Sequence, residues 1–214
     1  MRWLLAILLL APAVAQADDV LVDAVVVVVG TTPIAASQVA FEEQLHARIA
    51  GPDCAEDFGR LLCASGPALE SLIFREVLRQ EGIARDVEVN PGEASERLDA
   101  FRRRFGAREG AQDFMERWRL SEQDLHELLR EFAVLDQAIE VAVGRLVRDI
   151  PEEEERRYHA ENREVIFGGK PYEEVAALVS RRYYAFKFER TYDAWASDLR
   201  SRARIRYIGR SATR

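Results

Sequence analysis

Apolar residues recur at steps of three and four positions through most of the chain, and this spacing predicts amphipathic helices. The pattern is strongest from Ala68 to Ile150, where several helices follow one another. Gly82 provides a stop signal, Asn90-Pro91-Gly92-Glu93 a start, and Ser121 with Asp124 a capping pair. We therefore predict a helical body over this stretch.

The two ends of the chain carry strand patterns. Val25 to Val29 is a run of five valines, which favours a β-strand and is too short to cross a membrane. Arg204 to Ile208 alternates as a short edge strand does. Helices are expected at about 37–49 and 172–202. The predicted fold is thus mainly α, with a small β-sheet in which chain start and chain end pair.

The first 17 residues have the features of a secretory signal peptide. Arg2 supplies the positive charge, Trp3 to Leu10 the apolar segment, and Ala15-Gln16-Ala17 the cleavage site. We expect a cut after Ala17 and a mature protein that is periplasmic or secreted. The alternative is an uncleaved anchor, which the short apolar run and the two acids after it disfavour.

The net charge of −7 argues against nucleic acid as the partner, because phosphates are neutralised by cationic surfaces. Catalytic motifs are also missing from the sequence. His46, His126 and His159 fall on different predicted helices without a second ligand at metal-binding spacing. Gly168-Gly169-Lys170 lacks the remaining residues of a phosphate loop. We expect a protein that is not an enzyme and that needs no metal or cofactor.

Cys54 and Cys63 are the only cysteines. A continuous helix would separate their Cα atoms by about 13 Å, too far for a disulfide. Gly51-Pro52 and Gly59 predict a loop instead, in which a bridge would contribute roughly 2.5–3 kcal/mol. Two free thiols remain an alternative, whereas redox catalysis would favour the C-x-x-C spacing.

Aromatic residues form the remaining candidates for a site. One group clusters around a break between two predicted helices and is either ordinary core or a partly exposed apolar groove for extended client chains. Its members are Phe101, Phe105, Phe114, Met115 and Trp118. A second group follows the last helix, where packing is favoured more strongly: Tyr184, Phe188, Tyr192 and Trp195.

The order of these motifs resembles that of the SurA-like periplasmic chaperones and their parvulin-containing relatives. The matching segments cover almost the whole mature chain: VDAVVVVVGTTPIAASQV, ALESLIFREVLRQEGIARDVEVNPGEASERLDAF, LSEQDLHELLREFAVLDQAIEVAV, PEEEERRYHAEN, FGGKPYEEVAALV and YDAWASDLRSRARIRYI. The resemblance implies one helical domain over residues 18–214. Its core helices, 35–165, would be completed by a C-terminal helix and strand, 171–208.

The resemblance also implies a parvulin prolyl-isomerase domain between a helix like Pro151–Asn162 and a segment like Phe167–Val175. Only Arg163 to Ile166 separate the two here, whereas such a domain needs on the order of ninety residues. We therefore expect a non-enzymatic chaperone that binds unfolded or extended segments of envelope and outer-membrane proteins. The alternatives are a structural module of an envelope assembly complex and, less favoured, a prolyl isomerase.

Overall fold

The computed structural model of the chain describes residues 23–208 apart from 65, 85, 91, 106 and 107, with the backbone alone at 108 and 109. The predicted signal peptide with its cut after Ala17, and Pro91 of the predicted helix start, lie outside the described residues. Within this part the protein is mainly helical, with one small antiparallel sheet. This is the predicted fold class.

The sheet joins the two ends of the chain. It contains β1 (Val25–Val29), β2 (Thr32–Ala35) and β3 (Ile205–Tyr207) in the order β2-β1-β3. Val28 lies opposite Arg206, and Ile208 donates its amide to the carbonyl of Val26 at 2.9 Å. The predicted pairing of chain start and chain end, with the last strand at an edge, is confirmed.

Eight helices fall within the described residues. They are α1 (Ala36–Ile49), α2 (Cys54–Phe58), α3 (Ala68–Gln80), α4 (Glu93–Arg104), α5 (Arg108–Arg117), α6 (Glu122–Leu146), α7 (Glu152–Asn162) and α8 (Tyr172–Arg202). The predicted capping pair is confirmed, since Asp124 donates its amide to Ser121 Oγ at 3.1 Å and accepts the Ser121 amide at 2.8 Å. Gly82 has the positive φ of a helix stop, 66°.

The start of α4 differs from the prediction. The helix begins at Glu93, later than the expected start at Pro91. Asn90 accepts the amide of Gly92 on its side chain and the amide of Glu93 on its carbonyl, and so closes a turn ahead of the helix. Asn90 therefore ends the preceding loop, and Gly92 takes the cap position.

One main core joins the sheet, helices α1 to α6 and the second half of α8. The side chains that are fully buried in it, or nearly so, include Val29, Leu45, Phe132 and Ile139. The residues that α8 contributes are Phe188 and Leu199. Among the described residues, this core draws none from the segment 151–187.

The segment 152–187, which we call the arm, contains α7 and the first half of α8 packed together as a helical hairpin. Its buried side chains are His159, Phe167 and Val179. The rings of His159 and Phe167 lie 5.2 Å apart, and His159 Nε2 is 2.9 Å from the carbonyl oxygen of Lys170. The arm thus has a small core of its own.

Cys54 and Cys63 form a disulfide, with their Cα atoms 5.7 Å apart. The predicted bridge is confirmed, although the segment predicted as loop also contains the one-turn helix α2. Between the cysteines, Gly59 has a φ of 84°, and a Cβ at this position would lie 2.0 Å from Asp136 Oδ2. Only glycine satisfies both the backbone and the space there.

A buried ion pair connects α1 to α3. The Arg75 guanidinium donates to both carboxylate oxygens of Glu42, at 3.1 and 3.3 Å, and lies 4.5 Å from the ring of Phe132. His46 Nε2 is 3.4 Å from the same carboxylate. Burial raises the pKa of Glu42, but the His46 contact and the Arg75 guanidinium outweigh burial and hold the pKa below its ordinary value of 4.5.

Glu42→Gln should destabilise the protein by roughly 3–5 kcal/mol at pH 7, because it removes one charge of a buried pair and leaves the other. The ionised carboxylate stabilises the fold above its ordinary pKa, and this stabilisation is lost as the pH falls through the lower folded-state pKa. As the pH falls below about 4.5, the free energy of unfolding should therefore decrease more for the wild type than for the variant, which has no carboxylate at this position. Urea unfolding at pH 7 and at acidic pH measures both effects.

The exposed neighbour Glu43 provides the matched control. Glu43→Gln should change the free energy of unfolding by less than about 0.5 kcal/mol. Equal stability losses from the two substitutions would contradict the assigned role of Glu42.

Candidate binding surface

The first aromatic group lies partly in the core. Phe101 and Phe114 are buried, whereas Phe105, Met115 and Trp118 are partly exposed. The ring of Phe101 lies 4.4 Å from Phe105 and 5.7 Å from Phe114. Phe101 and Phe114 are thus not at the surface expected of a groove, because α1, α4 and α5 pack around them. Client binding by the other three stays a prediction.

Phe41 completes the packing of this group from α1. Its ring lies 5.9 Å from Phe114 and 5.3 Å from Trp118, and Trp118 Nε1 donates to Gln44 at 3.3 Å. The aromatic group thus lies where α1, α4 and α5 meet.

The members of the second aromatic group, which lie along α8, differ in how far they are buried. Phe188 is buried, and Tyr192 and Trp195 are partly buried against Phe74 with ring distances of 6.3 and 6.5 Å. Their packing role agrees with the favoured interpretation. Tyr184, one helical turn before Phe188, is 42% exposed.

Large exposed apolar side chains concentrate on the arm and at its base. Val165 is 91% exposed and Ile166 39%, both at the turn between α7 and α8, and Phe186 is 43% exposed. Leu146, at the end of α6, is 62% exposed. Apart from Tyr184 on the arm, the other exposed large apolar residues of the described part lie at the sheet: Val25, Tyr207 and Ile208. Exposed apolar area of this kind is typical of an interaction surface.

Three aromatic rings form a platform on the arm. Tyr158 and Phe186 stack at 5.7 Å with 27° between their planes, and Tyr183 and Phe186 stack at 6.2 Å with 22°. We call Tyr158, Tyr183 and Phe186 the ring platform. It borders an open groove of about 660 Å³ whose rim carries Arg157 and Arg190. Aromatic faces beside charged groups can take apolar and cationic side chains alike.

Glu154 holds the platform in place. Its Oε2 accepts from the Tyr183 hydroxyl at 2.7 Å and from Lys187 Nζ at 2.9 Å. Burial and the hydrogen bond to Glu154 raise the pKa of Tyr183 to about 12, so this hydroxyl stays a donor at neutral pH. The contacts with Lys187 and Tyr183 lower the pKa of Glu154. Glu154 thus connects α7 to Tyr183 and Lys187 of α8 beside the platform.

Tyr184 marks the inner side of the arm where it meets the body. A Cβ built on Gly144 would lie 3.4 Å from the Tyr184 hydroxyl, so the tyrosine reaches α6 beside this residue. Exposed Leu146 follows two residues later on α6. Tyr184 thus contacts α6 where the arm joins the body.

A second groove, of about 640 Å³, lies over α2 and α4. Its lining includes several carboxylates, among them Glu56, Asp57 and Glu96. The Arg97 beside it is already bonded to Asp136 and Glu93, and Arg103 lies 3.7 Å from Asp57. This groove is polar and does not suit apolar clients.

Within the described residues, the histidines have local structural contacts. His159 contacts a backbone carbonyl, His126 lies 3.5 Å from Ser95 Oγ, and His46 lies beside Glu42. No group of three or more His, Cys, Asp or Glu side chains in this part of the chain is arranged to hold a metal ion. Nor does any helix there have the length and apolar character needed to cross a membrane.

No protein-family model matches the chain, and no curated protein matches it significantly. The resemblance to SurA-like chaperones is therefore still a prediction from the order of the motifs.

Sequence reasoning missed the arm as a candidate surface. Val165, Ile166 and Phe186 belong to no helical stripe that would have drawn attention to them. One sequence feature could have indicated this surface: Val165 and Ile166 stand directly before Phe167 and two glycines, where a turn is expected. Apolar residues in a turn are harder to bury than those in a helix. The four-residue join between the matched segments contains the arm's most exposed apolar residue.

Glu154→Gln should loosen the arm without affecting the body. The amide side chain is a weaker acceptor for Lys187 and Tyr183, so amide exchange in α7 should be faster at pH 7, whereas exchange in α3 should not change. In the wild type, the carboxylate contacts persist above the ordinary pKa of 4.5 and are lost as the pH falls through the lower folded-state pKa. Hydrogen–deuterium exchange read by mass spectrometry measures the difference.

Glu153→Gln, one residue earlier and exposed, is the control and should leave exchange in α7 unchanged. If Glu154→Gln also left exchange in α7 unchanged, Glu154 would have no role in holding the platform.

Proposed function

We propose that the protein is a non-enzymatic, chaperone-like factor of the periplasm that binds unfolded or extended segments of envelope and outer-membrane proteins. The observation that carries the proposal is the arm, whose exposed apolar side chains are separate from the main core. These side chains contribute little to the packing of the body. Their exposure is unfavourable in water unless a partner covers them at times.

The form of the surface supports transient binding. The exposed side chains form small separate groups: Val165 with Ile166 at the tip, the ring platform along the side, and Tyr184 at the base. An extended chain can contact several such groups at once, whereas each group alone buries little area. Weak individual contacts favour fast release, and no nucleotide is needed.

The excess of acidic over basic residues supports the same proposal. The net charge of −7 keeps a protein that displays apolar groups dispersed, since like-charged molecules repel one another. A chaperone–client complex would benefit from this repulsion in the same way.

A docking module for one folded partner is the alternative. It is favoured by one observation, the contacts of Glu154 with Tyr183 and Lys187 beside the ring platform, because preorganised surfaces suit defined partners. Specific capture of one folded envelope protein, without affinity for unfolded chains, would support this alternative. A prolyl isomerase is the third possibility, and a peptide isomerisation assay should show no acceleration.

The wild-type protein should suppress aggregation of an outer-membrane protein diluted from urea, as measured by light scattering. The double variant Ile166→Ser with Phe186→Ser should lose most of this effect, because it removes apolar area from the tip and from the ring platform. Circular dichroism would verify that the variant keeps its helical content.

Ile208→Ser is the matched control, since Ile208 is equally exposed at 44% but lies at the sheet. It should suppress aggregation as the wild type does. Absence of suppression by the wild type at a several-fold molar excess would overturn the proposed function. Equal losses in the two variants would overturn the assignment of the surface to the arm.

A further inference from the structure

Arg60 connects the disulfide loop, residues 54–63, to α8. Its guanidinium donates to both carboxylate oxygens of Glu189 at 2.7 Å, and it lies over the rings of Phe188 and Tyr192 at 5.2 and 4.9 Å. The hydrogen bonds from Arg60 lower the pKa of Glu189. Residue 188 directly follows the arm, so this contact is made where the arm leaves the body.

The ion pair by itself is a weak restraint. The side chains of Arg60 and Glu189 are 30% and 55% exposed, and exposed pairs contribute little because water and salt screen them. Such a pair holds α8 firmly only if Arg60 is already fixed in position. The loop that carries Arg60 must supply that rigidity.

The disulfide supplies part of this rigidity. The helix within the loop, α2, has only five residues, and a helix of that length is unstable alone. The bond closes the loop across a sequence separation of nine residues. Between its ends the loop presents Arg60 to α8, while Phe58 and Leu62 are buried in the core.

We propose that the Cys54–Cys63 disulfide is a redox-sensitive restraint on α8 and, through α8, on the arm. With the bond closed, Arg60 is held against Phe188, Glu189 and Tyr192, and the arm keeps a fixed orientation to the body. Opening the bond lets the segment around Arg60 move, and Arg60 then restrains the base of the arm less. That this controls client binding rests on the proposed function; the restraint itself does not.

The reductant would be a dithiol, either a protein dithiol or a small molecule. Cys63 is partly exposed and Cys54 is buried, so the attacking thiolate reaches Sγ of Cys63 first. A mixed disulfide forms on Cys63, and Cys54 leaves as a thiolate that takes up a proton. The second thiol of the reductant then attacks the mixed disulfide, loses its proton and releases Cys63 as a thiol. The dithiol ends as a disulfide, and two electrons pass to the cysteines.

Hydrogen–deuterium exchange of the full chain, with and without dithiothreitol, tests the restraint. Reduction should make amide exchange in the second half of α8, residues 188–199, about tenfold faster, with α1 and α3 unchanged. Arg60→Met should produce the same increase in the oxidised protein, because it keeps the apolar stem and removes the guanidinium. Arg130→Met is the control, since Arg130 forms an exposed pair with Glu127 on α6.

Two results would overturn the proposal. One is unchanged exchange in α8 after complete reduction, verified by thiol titration. The other is an equal increase in all helices, which would make the bond a general stabiliser of the fold. The Arg60→Met variant keeps the disulfide, so it reports on the restraint even if the reduced protein unfolds.

Aggregation suppression measured on the same samples separates this proposal from the proposed function. Faster exchange in α8 without suppression in either redox state would leave the restraint standing and reject the chaperone role. Suppression of aggregation with no change in the amide exchange of α8 would support the chaperone role and reject the restraint.

Discussion

A buried ion pair between Arg97 on α4 and Asp136 on α6 connects the segments on which the rest of the structure depends. Arg97 Nη1 lies 3.0 Å from Asp136 Oδ2 and also donates to the carbonyl of Phe58, while Asp136 accepts the amide of Leu61 at 2.9 Å. The disulfide loop is thereby held against α4 and α6. Burial raises the pKa of Asp136 although Leu61 and Arg97 oppose the increase. The pair costs desolvation energy, so its main contribution is to fix geometry.

A series of contacts connects the disulfide loop to the arm at the surface. The loop placed by Arg97 and Asp136 presents Arg60, Arg60 contacts α8, and α8 continues into the arm. The arm has its own small core around His159 and Phe167, so its position relative to the body depends on these contacts at its base and on the buried Phe188. A local change in the loop can therefore alter how the exposed side chains are presented.

Much of the fold could be predicted from the sequence because its signals are local. Ser121 with Asp124 capped α6 as predicted, and the last helix has the predicted bounds 172–202 because Pro171 and the strand after it limit it on both sides. The pairing of the five valines with the end of the chain followed from strand patterns alone. Asn90 was predicted less well, since one residue type both caps helices and closes turns.

The candidate surface could not be predicted in the same way. Periodicity puts Phe101 and Phe114 on apolar faces but does not say which neighbouring element covers each face. Here Phe41 on α1 and Phe105 after α4 cover them. Exposure of Phe186 depends on the arm standing apart from the main core, which is a property of tertiary structure.

Charged residues inside a protein often indicate chemistry, but here they have structural partners. Glu42 and Arg75 bond each other between α1 and α3, and Arg97 and Asp136 bond each other between α4 and α6. Each pair crosses between helices and neutralises itself, so neither presents an unmatched charge to a substrate. The ionic groups in the body thus specify how helices assemble. The exposed apolar groups of the arm, and not these ionic groups, therefore support the proposed function.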